Sequence, residues 1–329
     1  MVTAIPRSRR ARLAVGAALV ALALLLWWAL RGEGRPSPGG EVTFATGVRG
    51  GVYELYGKKL QQRMADELPD VEVRLVNSHG SPDNIERLVS GRADFAVAAA
   101  DAVAAYVTEH PEAGSRLRAC ARLYDDYMQL VVRAGSGIRE PADLRGKRVA
   151  LGQANSGVKL IADRLLKAAD IDPRKDIEPH LIGIDTMPKK LADGEIDAFF
   201  WSGGLPTDKV SKLSEEIPIR LVPLGDLVSG LQSQRDTADY RSAVIPADAY
   251  RNVAEAAEVS SVAVPNLLLT TDRTDENLTE GVTRTVIENR DSIGREVHAA
   301  QLVDLRTAIY TDPLELHKGA ERYYRSVKP

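Results

Sequence analysis

The sequence predicts an α/β protein of two lobes, each a mostly parallel sheet flanked by helices. Three observations carry that reading. From residue 41 onward, short apolar runs alternate with stretches of helical length, the pattern of βαβ units and parallel sheets. The alternation pauses at a longer β-rich passage around residues 117–133 and then restarts. A late apolar strand, Val259–Thr271, precedes a mostly helical remainder, so the chain returns to the lobe it began. Its 329 residues also exceed what one core usually supports.

The elements follow in order. Residues 42–46 read as a buried strand and Val52–Glu67 as a helix stopped before Pro69. Residues 71–77 alternate with period two, and 83–90 are helical with Gly91 as their stop. Residues 93–99 form a continuous apolar strand that leads to a helix over 102–109. Strands at 117–124 and 128–133 come next. Asp125-Asp126 between them reads as a solvated turn, because neighbouring residues on a strand point to opposite faces. The second series runs strand 148–151, helix 158–169, strand 177–182, helix 187–193, strand 196–200, helix 207–216 and strand 219–223. Crossing segments near 131–135 and 259–266 would make a hinged pair with a cleft between. The expected division is 41–133 with 262–329 as lobe I and 134–261 as lobe II.

The first 31 residues stand apart. Arg7, Arg9, Arg10 and Arg12 precede eighteen uncharged residues, 13–30, and Arg31 closes the run. Eighteen apolar residues are about enough to cross the hydrocarbon core as a helix. Trp27 and Trp28 suit the far interface, and the basic cluster predicts a cytoplasmic N-terminus with the rest exported. A signal anchor and a cleaved signal peptide are both compatible with this pattern. Residues 32–40, rich in Gly and Pro, have the composition of a flexible linker. Beyond residue 31 the chain carries 38 basic and 46 acidic residues, a balance that argues against nucleic acid as partner. Cys120 is the only cysteine, so no internal disulfide is available; it reads as a core residue.

The stretch Thr46-Gly-Val-Arg-Gly-Gly-Val-Tyr53 joins a strand to a helix through glycines. It lacks the Gly-Lys-Ser/Thr ending of a phosphate-binding P-loop. It also lacks the Gly-x-Gly-x-x-Gly spacing of a dinucleotide site, and the next strand ends in Asn77 rather than an acid. What remains is a general anion site. Gly47, Gly50 and Gly51 let the backbone approach a ligand, the amides around Val52 and Tyr53 open a helix, and Arg49 adds a cation. A second such junction, Leu151-Gly-Gln-Ala-Asn-Ser-Gly-Val158, occupies the corresponding place in lobe II. It offers Asn155 or Ser156 as N-cap and Gly157 and Val158 as the helix start. Ligands bind outside the carboxyl ends of strands in open α/β sheets, so two helix starts would face one cleft. A third polar turn, Asn77-Ser-His-Gly-Ser-Pro-Asp-Asn84, lies on the same side and serves either the cleft or helix capping. Trp201 and Ser202 end an apolar strand where an indole could cover a ligand's apolar part.

In that order the motifs resemble the TAXI group of solute-binding receptors that serve TRAP-type transporters. The glycine stretch at 46–53 matches the group's Thr-Gly-Gly-Thr-Gly-Gly-Thr-Tyr in part, and Gly80-Ser-Pro-Asp-Asn84 its Gly-Ser-x-Glu-Asn turn. Leu88-Val-Ser-Gly-Arg-Ala-Asp-Phe95 with Asp101, Asp143-Leu-Arg-Gly-Lys-Arg-Val149, Asn155-Ser-Gly157, the run Gly194–Pro206 and His317-Lys-Gly-Ala-Glu-Arg-Tyr-Tyr324 continue the series. The resemblance implies a type II periplasmic-binding-protein fold that closes on its ligand by hinge motion, without catalysis. It implies a small carboxylate ligand, glutamate-like or dicarboxylic, and a TRAP permease as partner. It adds Ser81, Asn84 and Asp101 to the expected site. The chain departs from the pattern at Val48 and Arg49, where the group has Gly and Thr, and at Ala99, often Gln.

No catalytic set, metal site or cofactor is expected. Ser156 lacks a Gly-x-Ser-x-Gly context, and His79, His110, His180, His298 and His317 show no metal-ligand spacing. A membrane-tethered sensor that reports ligand occupancy to a partner protein is the alternative function, since one cleft serves both tasks.

Overall fold

The computed structural model describes residues 37–234, 239–255 and 257–328. The signal or anchor expected over 1–31, and most of the linker, lie outside the described residues. Among the described residues no helix is long and apolar enough to cross a membrane.

Strand β1 (Gly40–Ala45) leads into α1 (Val52–Glu67), β2 (Val71–Val76), α2 (Ser81–Val89), β3 (Phe95–Ala99) and α3 (Ala100–Glu109). One long strand, β4 (Leu117–Arg133), follows. The second series is β5 (Arg148–Ala150), α4 (Gly157–Ala168), β6 (Glu178–His180), α5 (Met187–Ala192), β7 (Ala198–Gly203), α6 (Asp208–Glu216), β8 (Ile219–Val222) and β9 (Arg241–Ile245). Then β10 (Val259–Thr271) returns to the first lobe, which α7 (Glu276–Glu288) and α8 (Lys318–Val327) complete.

The strands form a continuous sheet in the order β2-β1-β3-β10-β4-β7-β5-β6, with β8 on β4 and β9 on β10. The lobes are less uniformly parallel than the alternation predicts. β1 pairs in parallel with β2 and β3, and β5 with β6 and β7. The long strands are the exception. β10 runs antiparallel to β3, β4 and β9, and β4 antiparallel to β7 and β8. A chain that leaves a lobe and later returns to it lays two strands of opposite direction side by side, and these carry both lobes.

The apolar residues sort onto faces by the two-residue period of a strand. Val42 and Phe44 pack with Tyr56 and Leu60 on one side of the first sheet, while Ala45 packs with Ile85 and Leu88 on the other. The second lobe has its own core, in which Leu165, Phe199 and Phe200 meet Met128 and Leu130. Both long strands pass from one core to the other. On β4 the first core holds Leu123 and Tyr124 and the second begins at Met128; on β10 the change falls between Val264 and Leu267. The residues in those gaps include Asp125 and Asp126 on one strand and Pro265 and Asn266 on the other.

The expected turn at Asp125-Asp126 is therefore a correction. β4 runs through it without a break, and Asp126 is opposite Val264 in the ladder, which becomes irregular between Pro265 and Leu267. Proline has no amide hydrogen to offer the ladder, so the irregularity falls where the two cores part.

Candidate ligand-binding cleft

Three helix starts face one cavity. α1 begins after Gly51 and α2 after Gly80, both in the first series, while α4 begins after Ser156 in the second. The Ser156 hydroxyl caps α4 by accepting from the Lys159 amide at 3.1 Å. A helix's first-turn amides lack intrahelical acceptors, and they carry the positive end of its dipole. The cavity draws its lining from all three starts.

The two sides approach closely. A methyl group on Gly80 would stand 3.4 Å from the Gly157 amide nitrogen, and one on Gly157 would stand 3.2 Å from Ser81 Oγ. Gly80 also has φ +116, a conformation closed to most side chains. Small residues at this contact let the α2 and α4 starts meet.

Of the residues expected at the site, Gly47, Gly51, Val52, Tyr53, Ser81, Ser156, Gly157, Val158, Trp201 and Ser202 line the cavity. Ser81 Oγ accepts from the Ala99 amide at 3.0 Å and lies 3.4 Å from the Tyr53 hydroxyl. Tyr53 donates to Asn266 Oδ1, tying α1 to β10. The Trp201 indole donates to Thr207 Oγ1 at 3.1 Å, which fixes its ring with an edge toward Gly51.

Five expected residues stand elsewhere. Arg49 is exposed in its turn and does not line the cavity. Gly50 points its amide to Glu54 Oε2 at 2.8 Å and borders a separate hollow with Leu55 and Lys58. Asn84 is fully buried, donating to the Thr46 and Val97 carbonyls at 2.6 and 2.7 Å; it locks α2 to the sheet. Asn155 is exposed with φ 59, a backbone state that Asn tolerates. Asp101, buried at the start of α3, accepts from Tyr240 at 2.7 Å and pairs with Arg164 of α4 at 3.2 Å. It joins the two series rather than facing the cavity.

Sequence reasoning missed Asp126. This carboxylate lines the cavity, is 4% exposed, and its Oδ1 has no hydrogen-bond partner. Burial pushes its pKa up to about 7, with the Asp125 and Asp101 charges adding and Asn266 and Tyr53 opposing. Burial and the facing Asp126 likewise hold the Tyr53 hydroxyl well above its ordinary range. The signal available in the sequence was an acidic pair set between two β-rich runs. Gly152, Gln153, Gly183 and Met187 of the second series also line the cavity. No lysine or arginine among the described residues lines it. Among the described residues no group of three or more His, Cys, Asp or Glu side chains is gathered for a metal ion.

Comparison with known proteins agrees with this architecture. The sequence model of the NMT1-like family matches residues 44–327. A solved protein of Bordetella bronchiseptica RB50 is 17% identical with a TM-score of 0.50, covering 88% of this chain and 90% of its own. The protein Tv2483, solved bound to L-arginine, is 12% identical with a TM-score of 0.50, covering 81% and 93%. The alkanesulfonate-binding protein SsuA of Xanthomonas axonopodis pv. citri, solved with MOPS, is 18% identical with a TM-score of 0.48, covering 89% and 86%. The fold is the two-lobed α/β fold of periplasmic binding proteins.

Proposed function

The chain belongs to the NMT1-like family, and on that premise we propose that it is an extracytoplasmic solute-binding receptor that captures a small carboxylate and delivers it to a membrane permease. The convergence of three helix starts on one cavity, two from lobe I and one from lobe II, carries this reading. Each start contributes about 0.3–1 kcal/mol toward an anion, and up to about 2 kcal/mol where partly buried. With no lysine or arginine among the described lining residues, the backbone amides are the anion's partners. A ligand that bridges α2 and α4 draws the lobes together, so binding and closure are one event.

The ordered TAXI-like motifs support a TRAP-type permease as recipient. The basic cluster and apolar run of residues 7–30 support export, with the N-terminal segment either retained as an anchor or removed. Lobe I is assigned 41–133 and 262–329, lobe II 134–261.

A thermal-shift screen of amino acids, organic acids and neutral sugars tests the ligand class. Carboxylates are expected to raise the melting temperature, since a ligand at 100 times its Kd stabilises by about 2.7 kcal/mol. A shift with neutral sugars and none with carboxylates would remove the anion reading.

A further inference from the structure

The cleft contains a buried acid with one unpaired oxygen. Asp126 Oδ1 makes no hydrogen bond, although the side chain is buried and lines the cavity, and the Asn266 Nδ2 near it is likewise unpaired. The charges that act on Asp126 most strongly are acidic. Asp125 stands beside it on β4, Asp101 at the start of α3, Tyr124 on β4 and Tyr53 on α1. The nearby cations are committed elsewhere, Arg122 to Asp125 and Arg164 to Asp101. His79 is the other titratable group of the lining, at the exposed rim. On the neighbouring strand, Ser202 is opposite Met128 in the β4–β7 ladder, so it shares a sheet face with Asp126 two residues along. Its hydroxyl is also buried and unpartnered.

Resting on the solute-receptor reading above, we infer that the ligand is a small zwitterion, its carboxylate on the helix starts and its protonated amine on Asp126. An ammonium carries three donors and no acceptor. Asp126 Oδ1 and Ser202 Oγ supply unused acceptor sites, and the Tyr53 oxygen keeps a lone pair after donating to Asn266. A buried carboxylate is stable when it is paired and costly when it is not. A ligand that brought only negative charge would add repulsion to a site already short of cations. A zwitterion answers both ends of the cavity at once. Because burial holds Asp126 near a pKa of about 7, it must lose a proton to receive the amine. Capture is then proton-linked, and affinity falls as the pH drops below about 7.

The test uses matched pairs that differ only in the amine: L-glutamate against glutarate, and L-leucine against 4-methylpentanoate. Binding of each to the purified full chain is measured by calorimetry at pH 5.5 and 8. The tighter-binding pair is expected to favour the amino acid by at least about tenfold at pH 8, with a smaller ratio at pH 5.5. Asp126→Asn keeps the shape and removes the charge, so it should bring that ratio within about threefold and abolish its pH dependence. Ser202→Ala should narrow it less. Equal or tighter binding of the desamino acid, unchanged in Asp126→Asn, would overturn this inference and leave the carboxylate reading standing. Tight binding of butylamine, lost in Asp126→Asn, would support Asp126 as the amine site and overturn the carboxylate reading instead. Circular dichroism of Asp126→Asn confirms that the variant compared is folded.

Discussion

Asp126 ties the site to the stability of the fold. Its folded pKa of about 7 stands above the ordinary carboxylate value. The folded state therefore holds the proton more tightly than the unfolded chain does. Stability from this group is fully present below the unfolded pKa and is lost as the pH rises through about 7. Asp126→Asn removes the titration, so the variant should gain stability over the native protein at pH 8 and much less at pH 4. The shift from 3.8 to about 7 sets the difference on the order of 2–4 kcal/mol. Urea unfolding at both pH values measures it, and a gain independent of pH would show that the Asp126 proton is not the cause. Arg49 makes the opposite case. Its charge and its place between glycines make it a natural anion partner, yet it is exposed and does not line the cavity. Arg49→Ala should leave ligand affinity within about threefold, in line with other exposed substitutions. A tenfold loss by calorimetry would return it to the site. Neither outcome was legible in the residues alone, because charge and spacing do not say which way a side chain faces.

At the scale of elements, local pattern was a good guide wherever an element buries one face within its own neighbourhood. Helix α1 was legible from Val52 to Glu67, and β10 from Val259 to Thr271. The junction of β4 was not. Its two acids look like a solvated break until β10, more than a hundred residues later, is laid against them. Strand β9 was missed as well; its residues are mostly exposed or half-buried, and it too pairs with β10. A second contact set between distant elements joins α3 to α4. Asp101 accepts from both Arg164 and Tyr240 on one oxygen, and the Arg164 guanidinium stands 5.8 Å from the Tyr240 ring centre. Since α3 follows β3 of the first series and α4 follows β5 of the second, hinge opening would pull this cluster apart. It should act as a latch for the closed state. Asp101→Asn is expected to weaken ligand binding about tenfold while lining no part of the cavity. Small-angle scattering should show a larger radius of gyration at equal ligand concentration. Unchanged affinity would mean that the cluster survives opening and only fastens the elements locally.

For the whole molecule, the sequence by itself determined the α/β class, two series of strands and helices, the return of the chain to its first lobe, and helix starts gathered on one cleft. These follow from hydrophobic period, glycine and cap placement, and the order of elements, all of which are local or additive along the chain. Ten of the expected cleft residues line the cavity for that reason: the carboxyl ends of strands and the helix starts after them are set by the fold class itself. Only the tertiary structure decided what the cleft is made of chemically. It left Arg49 exposed, took Asn84 and Asp101 into fixed hydrogen bonds, and buried Asp126 in the gap where the cores of the two lobes part. The physical reason is that a side chain's charge has its effect through burial and partners. Those are set by which distant strands lie side by side, here β4 and β10.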